Sequence, residues 1–237
     1  MQSARKSEWF QFLFDVYNQR LLRRHFHAFH VHNTPRFDGP VIVYANHVSW
    51  WDGLLLFHLN RHVWNRDAYV LMGREGLSQY AFFRRMGAFS VNQDATDVLR
   101  GFRYALDILS RPYGLLAWFP QGKECHPDAP LVFADGLASL LHVAKRHGIN
   151  PEIVPMTIRY EFLEQKLPEI FVSFGEKFTL EDLVAETATR TADATVINCN
   201  LVTKTEDIIH RVKRQIMDWS TLERRTAPGF VNLLERR

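Results

Sequence analysis

The 237-residue sequence predicts an α/β fold, a mixed sheet flanked by helices, preceded by an amphipathic helical segment that meets a membrane. Two observations carry this. Short runs rich in β-branched and aromatic residues alternate with stretches of helical periodicity, the pattern of a sheet covered by helices. Before Pro35 the chain instead repeats bulky apolar residues at helical spacing and is basic, with six arginine and lysine residues against two acids in residues 1–36. We therefore divide the chain into an N-terminal helical segment, 1–34, and an α/β domain, 35–237.

In the first segment, Phe10, Leu13, Phe14, Tyr17 and Leu21 fall on one helical face, and Trp9, Phe12 and Val16 widen it. Aromatic bulk on one side and arginines toward one end suit a helix lying in a membrane interface. Packing against its own domain is the competing use of that face, and one helix can serve both.

The elements after Pro35 follow in order. "PVIVYA" is a buried strand, and Asp52 opens a helix to Leu59. "AYVLM" is a second strand, residues 74–86 are mostly helical, and "AFSVN" is a third strand. Residues 95–109 form a helix with Val98, Phe102, Ala105 and Leu109 on one side. "GLLAWF" is the fourth strand, residues 136–147 a helix, and "EIVPMTIRY" and "EIFVSFG" further strands. A long helix over 195–222 closes the chain.

Composition excludes several classes. Cys125 and Cys199 are too far apart for a metal-ligand spacing and too few for a disulfide framework, which favours a reducing compartment. No apolar run approaches the roughly 18 residues of a membrane span, and no signal peptide is expected. The net charge of +3 and the lack of a dense basic patch argue against a nucleic-acid partner.

Chemistry concentrates in "YANHVSWWDGLLLF". His47 lies in the turn after the first strand of the α/β domain, and Asp52 about one helical turn further on. The carboxylate can hold one imidazole nitrogen while the other faces outward, which fixes the tautomer and lets histidine take a proton from a hydroxyl near neutral pH. This is the base and orienting acid of a triad without its serine. No G-x-S-x-G occurs, and Ser49 is too near His47 in sequence to serve as nucleophile. A buried histidine satisfied by a carboxylate is the plainer alternative.

The second stretch is "LLAWFPQGKECHPDAPLVFADG". A strand running into Phe119-Pro120-Gln121-Gly122 makes a tight turn at the strand's carboxyl end, where open α/β sheets bind ligands. Gly122 lets the backbone approach a ligand closely.

Together these stretches resemble the glycerolipid (lysophospholipid) acyltransferase family. Its N-H-x4-D motif matches residues 46–52, its G-x-I-F-I-D-R-like motif matches "GAFSVNQ" at 87–93, its F-P-E-G-T-R-S-like motif matches "FPQGKEC" at 119–125, and its later V-P matches "VPM" at 154–156, in the family's order. The resemblance implies that His47 is the general base and Asp52 its partner. It implies that Asn46, Ser49, Gly87, Gln93, Phe119, Pro120, Gln121, Gly122, Lys123, Glu124, Val154 and Pro155 contact the substrates. It further implies an acyl-coenzyme A or acyl carrier protein co-substrate, a lipid acceptor, no metal or other cofactor, and a peripheral location on the cytoplasmic side of a membrane.

Three positions depart from the family pattern. Gln93 and Glu124 stand where the family has arginines associated with the acceptor's phosphate, and Gln121 stands for its glutamate. A phosphate would lose charge-assisted bonds and face a carboxylate, so a non-phosphate acceptor, such as a glycosylated lipid, fits better unless Lys123, Arg84 or Arg85 substitutes. A phosphate-bearing acceptor, a thioester or ester hydrolase, and a non-catalytic membrane-bound adaptor are the alternatives.

His58 and His62 have the i, i+4 spacing of a metal pair, but no third ligand is evident in sequence, so packing or surface roles are expected. His25, His27, His30 and His32 read as solvated histidines at a helix end.

Overall fold

The structure is a computed structural model; residues 1–92, 94–185, 194–221 and 230–234 are described. The first helix, α1 (Glu8–His25), is capped by Ser7, whose hydroxyl accepts from Phe10 N. Arg23, Arg24 and His25 occupy its last turn, where cations complement the helix dipole. Strands β1 (Ala28–His32) and β2 (Val41–Ala45) lead to α2 (Trp51–Leu59), which runs into one π-helical turn, Asn60–Trp64. Then come β3 (Asp67–Leu71), α3 (Arg74–Gln79), a 3-10 turn at Ala81–Met86, β4 (Ala88–Phe89), α4 (Ala95–Leu109) and β5 (Gly114–Trp118). The chain continues through α5 (Gly136–Arg146), β6 (Glu152–Glu161), β7 (Glu169–Phe174), α6 (Leu180–Ala185), α7 (Ala194–Thr221) and β8 (Phe230–Asn232).

The strands form one mixed sheet in the order β4-β3-β5-β2-β6-β7-β1-β8. The block from β4 to β6 is parallel; β6 pairs antiparallel with β7, β7 parallel with β1, and β1 antiparallel with β8. Strand β2 is buried on both faces, hence its unbroken apolar run. Ile42 and Tyr44 pack with Ile108, Leu109, Leu137 and Leu141 of α4 and α5. Val41, Val43 and Ala45 face Leu22 of α1 and Leu55 and Leu59 of α2. Helix α7 covers β7 through Ile208, Val212 and Ile216.

The α/β sheet with flanking helices is as expected from sequence, and several elements are corrected. Of the histidine run, His25 is the exposed last residue of α1 and His27 is exposed just beyond it, as expected, but His30 and His32 are in a strand: residues 28–32 pair with β7, and His30 is buried beside Glu169 at 2.7 Å. Two histidines in five residues masked a period-2 pattern, with Phe29 and Val31 on the core face. The "AFSVN" strand shrinks to Ala88–Phe89, because Ser90 pairs through its backbone with Gln2 instead. Strand β8 was not anticipated, and the expected helix end at Leu222 lies outside the described residues.

Helix α1 also departs from the expected single apolar face. Phe10 and Phe14 pack against Phe82, and Phe14 against Phe57. Its buried positions, however, are Asp15, Asn18 and Leu22. Asn18 donates to Leu54 O at 3.2 Å. Trp9 is 72% exposed and Phe12 59%, with Leu13, Val16 and Tyr17 exposed beside them. Two polar groups thus face inward beside Leu22, while part of the aromatic surface faces outward, unlike an ordinary surface helix. No helix among the described residues is long and apolar enough to cross a membrane.

Candidate active site

Parallel strands β2 and β5 lie side by side with Tyr44 opposite Trp118, so the segments leaving their carboxyl ends meet. One carries His47, the other Phe119 to Cys125. The Phe119 ring stacks on the His47 imidazole, centroids 4.4 Å apart. Gln121 Oε1 accepts from His47 N at 2.7 Å, and Cys125 N donates to His47 O at 2.8 Å. The histidine backbone is therefore held from both sides by the second loop. Gly122 closes that turn, its N donating to Phe119 O at 3.0 Å with φ +70°, a conformation glycine adopts without strain.

Asp52 is fully buried. Its Oδ2 accepts from His47 Nδ1 at 2.8 Å, Val48 N at 2.8 Å and Ser49 N at 3.0 Å. Asp52 was expected to open α2; it instead sits in the first turn, and the residue before the helix, Trp50, makes no side-chain capping bond. The carboxylate turns back to the preceding loop. An ionised carboxylate only accepts, so Nδ1 carries the proton and Nε2 the lone pair. His47 borders an apolar cavity of about 520 Å³ between α2, β3, β5 and the Phe119–Glu124 loop.

The other oxygen, Asp52 Oδ1, accepts from the Tyr160 hydroxyl at 2.5 Å. Burial, then the neighbouring Asp52 charge, raises the Tyr160 pKa well above the tyrosine range, so the phenol keeps its proton and donates. Tyr160 was not anticipated. It lies 108 residues from Asp52 on β6, and the only sequence cue was its place in a strand following the Val-Pro motif.

Of the remaining positions assigned to substrate, Phe119, Pro120, Gly122 and Glu124 line the cavity. Asn46 does not: its amide exchanges hydrogen bonds of 2.9 and 2.8 Å with Ile158 O and N, extending the β2–β6 ladder by one residue. These bonds lie just beyond the backbone pairing of Ala45 with Met156 and two residues before Tyr160. Val154 and Pro155 are buried in β6, with Val154 in the sheet core. Gly87 has φ +111°, and a Cβ there would meet Ala68 O at 2.5 Å, so its role is a tight backbone approach. Ser49 supplies its backbone N to Asp52 and its Oγ to Trp51 N at 3.4 Å. Gln121 holds the His47 backbone. Lys123 is exposed outside the cavity lining. Gln93 lies outside the described residues.

Of the candidate replacement cations, the two arginines make contacts away from the cavity. Arg84 Nε donates to Ser3 O at 2.9 Å, and the Arg85 guanidinium sits 5.3 Å from the centre of the Phe10 ring. Among the described residues, the lysine that lines the cavity, Lys6, is paired with Asp67.

Fold and site together define an α/β domain with a histidine–carboxylate pair at the rim of an apolar cavity. The chain belongs to the Acyltransferase family, whose model matches residues 14–159, and it is an acyltransferase. The fold is similar to that in the crystal structure of the 1-acyl-sn-glycerophosphate (LPA) acyltransferase PlsC from Thermotoga maritima, with a TM-score of 0.54 and 17% identity over 87% of this chain and 79% of that one. A search of curated protein sequences found no significant match.

Proposed function

We propose that the enzyme moves a fatty acyl group from a thioester, acyl-coenzyme A or acyl carrier protein, to the hydroxyl of a lipid acceptor. The observation that carries this reading is His47 at the rim of an apolar cavity with its proton on the Asp52 side. The cavity volume falls within the usual range for small-molecule sites, roughly 300–1,000 Å³, and its apolar lining suits an acyl chain.

In this mechanism, Nε2 of His47 takes the acceptor's hydroxyl proton as the oxygen attacks the thioester carbonyl. The tetrahedral intermediate collapses with loss of the thiolate, which recovers the proton from the imidazolium. Asp52 stabilises the transient positive ring, and Tyr160 holds the other carboxylate oxygen. No acyl-enzyme forms and no metal takes part. Helix α1 presents its exposed aromatics to the bilayer holding the acceptor, so the enzyme is peripheral; the reducing compartment expected from its cysteine usage places it on the cytoplasmic face.

The acceptor is a lipid alcohol without a phosphate monoester, such as a glycosylated lipid. Glu124 lines the cavity, and Arg84 and Arg85 are engaged elsewhere. The likeness to a lysophosphatidate enzyme favours the other acceptor class, so both belong in one assay. Purified protein, an acyl-coenzyme A and an acceptor should yield lipid ester and free thiol in equal amounts, and His47→Ala should abolish both. Free fatty acid in place of ester would make the protein a hydrolase and overturn the proposal.

A further inference from the structure

Away from the catalytic cavity, the fold brings a third group to the two histidines that sequence left without one. Asp15 of α1, His58 in the last turn of α2 and His62 in the following π-helical turn have ligand atoms all within 4.8 Å of one another. His62 Nε2 lies 2.9 Å from Asp15 Oδ1, and the two imidazole rings are 4.4 Å apart.

His58 is the informative member. It is 3% exposed, yet among the described residues neither ring nitrogen has a well-formed hydrogen-bond partner; the Leu233 backbone offers it only weak support. A buried imidazole with both nitrogens unsatisfied is costly unless something else occupies one of them. Gln19 Nε2 donates to Asp15 Oδ2 at 3.1 Å, which orients the carboxylate and leaves Oδ1 toward the histidines. Arg23 opposes positive charge near His58, but its Nε is directed to Leu234 O at 3.5 Å, and Asp15 supplies the compensating charge.

We propose that Asp15, His58 and His62 bind one divalent transition-metal ion of the zinc class, clipping α1 to α2. Two imidazoles and a carboxylate are a zinc-type donor set with a fourth position for water; calcium and magnesium prefer all-oxygen surroundings. Tetrahedral binding at about 2.0–2.1 Å asks His62 and Asp15 to part slightly and His58 to close in, shifts within side-chain reach. The clip fastens the helix with exposed aromatics to the helix whose first turn bears Asp52. It has no part in the acyl-transfer chemistry.

The test uses full-length, tag-free protein stripped with a chelator and titrated with Zn²⁺ against a chromophoric competitor. We expect one tight equivalent, a higher melting temperature on loading, and a four-coordinate Co²⁺ spectrum. His62 is exposed, so His62→Ala should fold and melt like the stripped parent while losing at least about 10–100-fold in affinity. Asp15→Asn should weaken binding as well. Absence of a tight equivalent in the parent, or undiminished affinity in a folded His62→Ala protein, would overturn the site and leave a plain His62–Asp15 hydrogen bond beside a packed His58.

Discussion

The Tyr160 hydroxyl donates to Asp52 Oδ1 at 2.5 Å, on the carboxylate whose other oxygen takes the proton of His47 Nδ1. The Asp52 carboxylate is thereby fixed from two directions, by its own loop and by a strand residue 108 positions away. Removing the phenol should leave a buried carboxylate oxygen without its donor. Hydrogen bonds to charged groups contribute about 1.5–3 kcal/mol. We expect Tyr160→Phe to lower kcat about tenfold or more with little change in KM, and His47→Ala to cost about 10²–10⁴-fold. Steady-state kinetics on folded variants, checked by circular dichroism, decides this; a Tyr160→Phe enzyme at parental kcat would make the tyrosine purely a packing residue.

Gln121 uses only its carbonyl oxygen on His47 N, at 2.7 Å. A carboxylate accepts equally well, so Gln121→Glu should keep most activity. Gln121→Ala leaves that backbone N–H unpaired and the imidazole less well placed, and should lower kcat several-fold or more. Equal activity of the alanine and glutamate variants would show that the bond does not position the base.

Acceptor choice is tested by competition at equal concentrations. We expect a neutral or sugar-bearing lipid alcohol to be preferred over lysophosphatidate, because Glu124 lines the cavity. Restoring two guanidinium groups through the double change Gln93→Arg and Glu124→Arg should shift preference toward phosphate, since each forms paired bonds that a lysine cannot. Clear preference of the unmodified enzyme for lysophosphatidate would mean that another cation holds the phosphate.

Trp9 and Phe12 are exposed on α1, so the double change to alanine should not disturb the core. Full burial of one large apolar side chain is worth roughly 1.5–3 kcal/mol. Binding to anionic liposomes should weaken at least about tenfold, and added salt should weaken the parent by screening the arginines. Unchanged sedimentation of the variant would assign this face to something other than a bilayer.

What the sequence determined by itself was local. His47 and Asp52 are five positions apart in a strand-turn-helix unit, so their contact follows from chain geometry alone. Strand β2 and helix α4 announce themselves by an apolar run and a 3.6-residue period, patterns that their own burial imposes. Tertiary structure decided whatever depends on a remote partner. The motif resemblance assigned Asn46 to substrate contact, but only the approach of Ile158 shows that its amide is consumed by the sheet. Tyr160 becomes part of the site because β6 pairs with β2, the strand that leads into the His47 loop. Asp15 completes the His58–His62 pair only when α1 packs on α2 with its polar side inward. A side chain's polarity is written in the chain, whereas the group that satisfies it is chosen by packing.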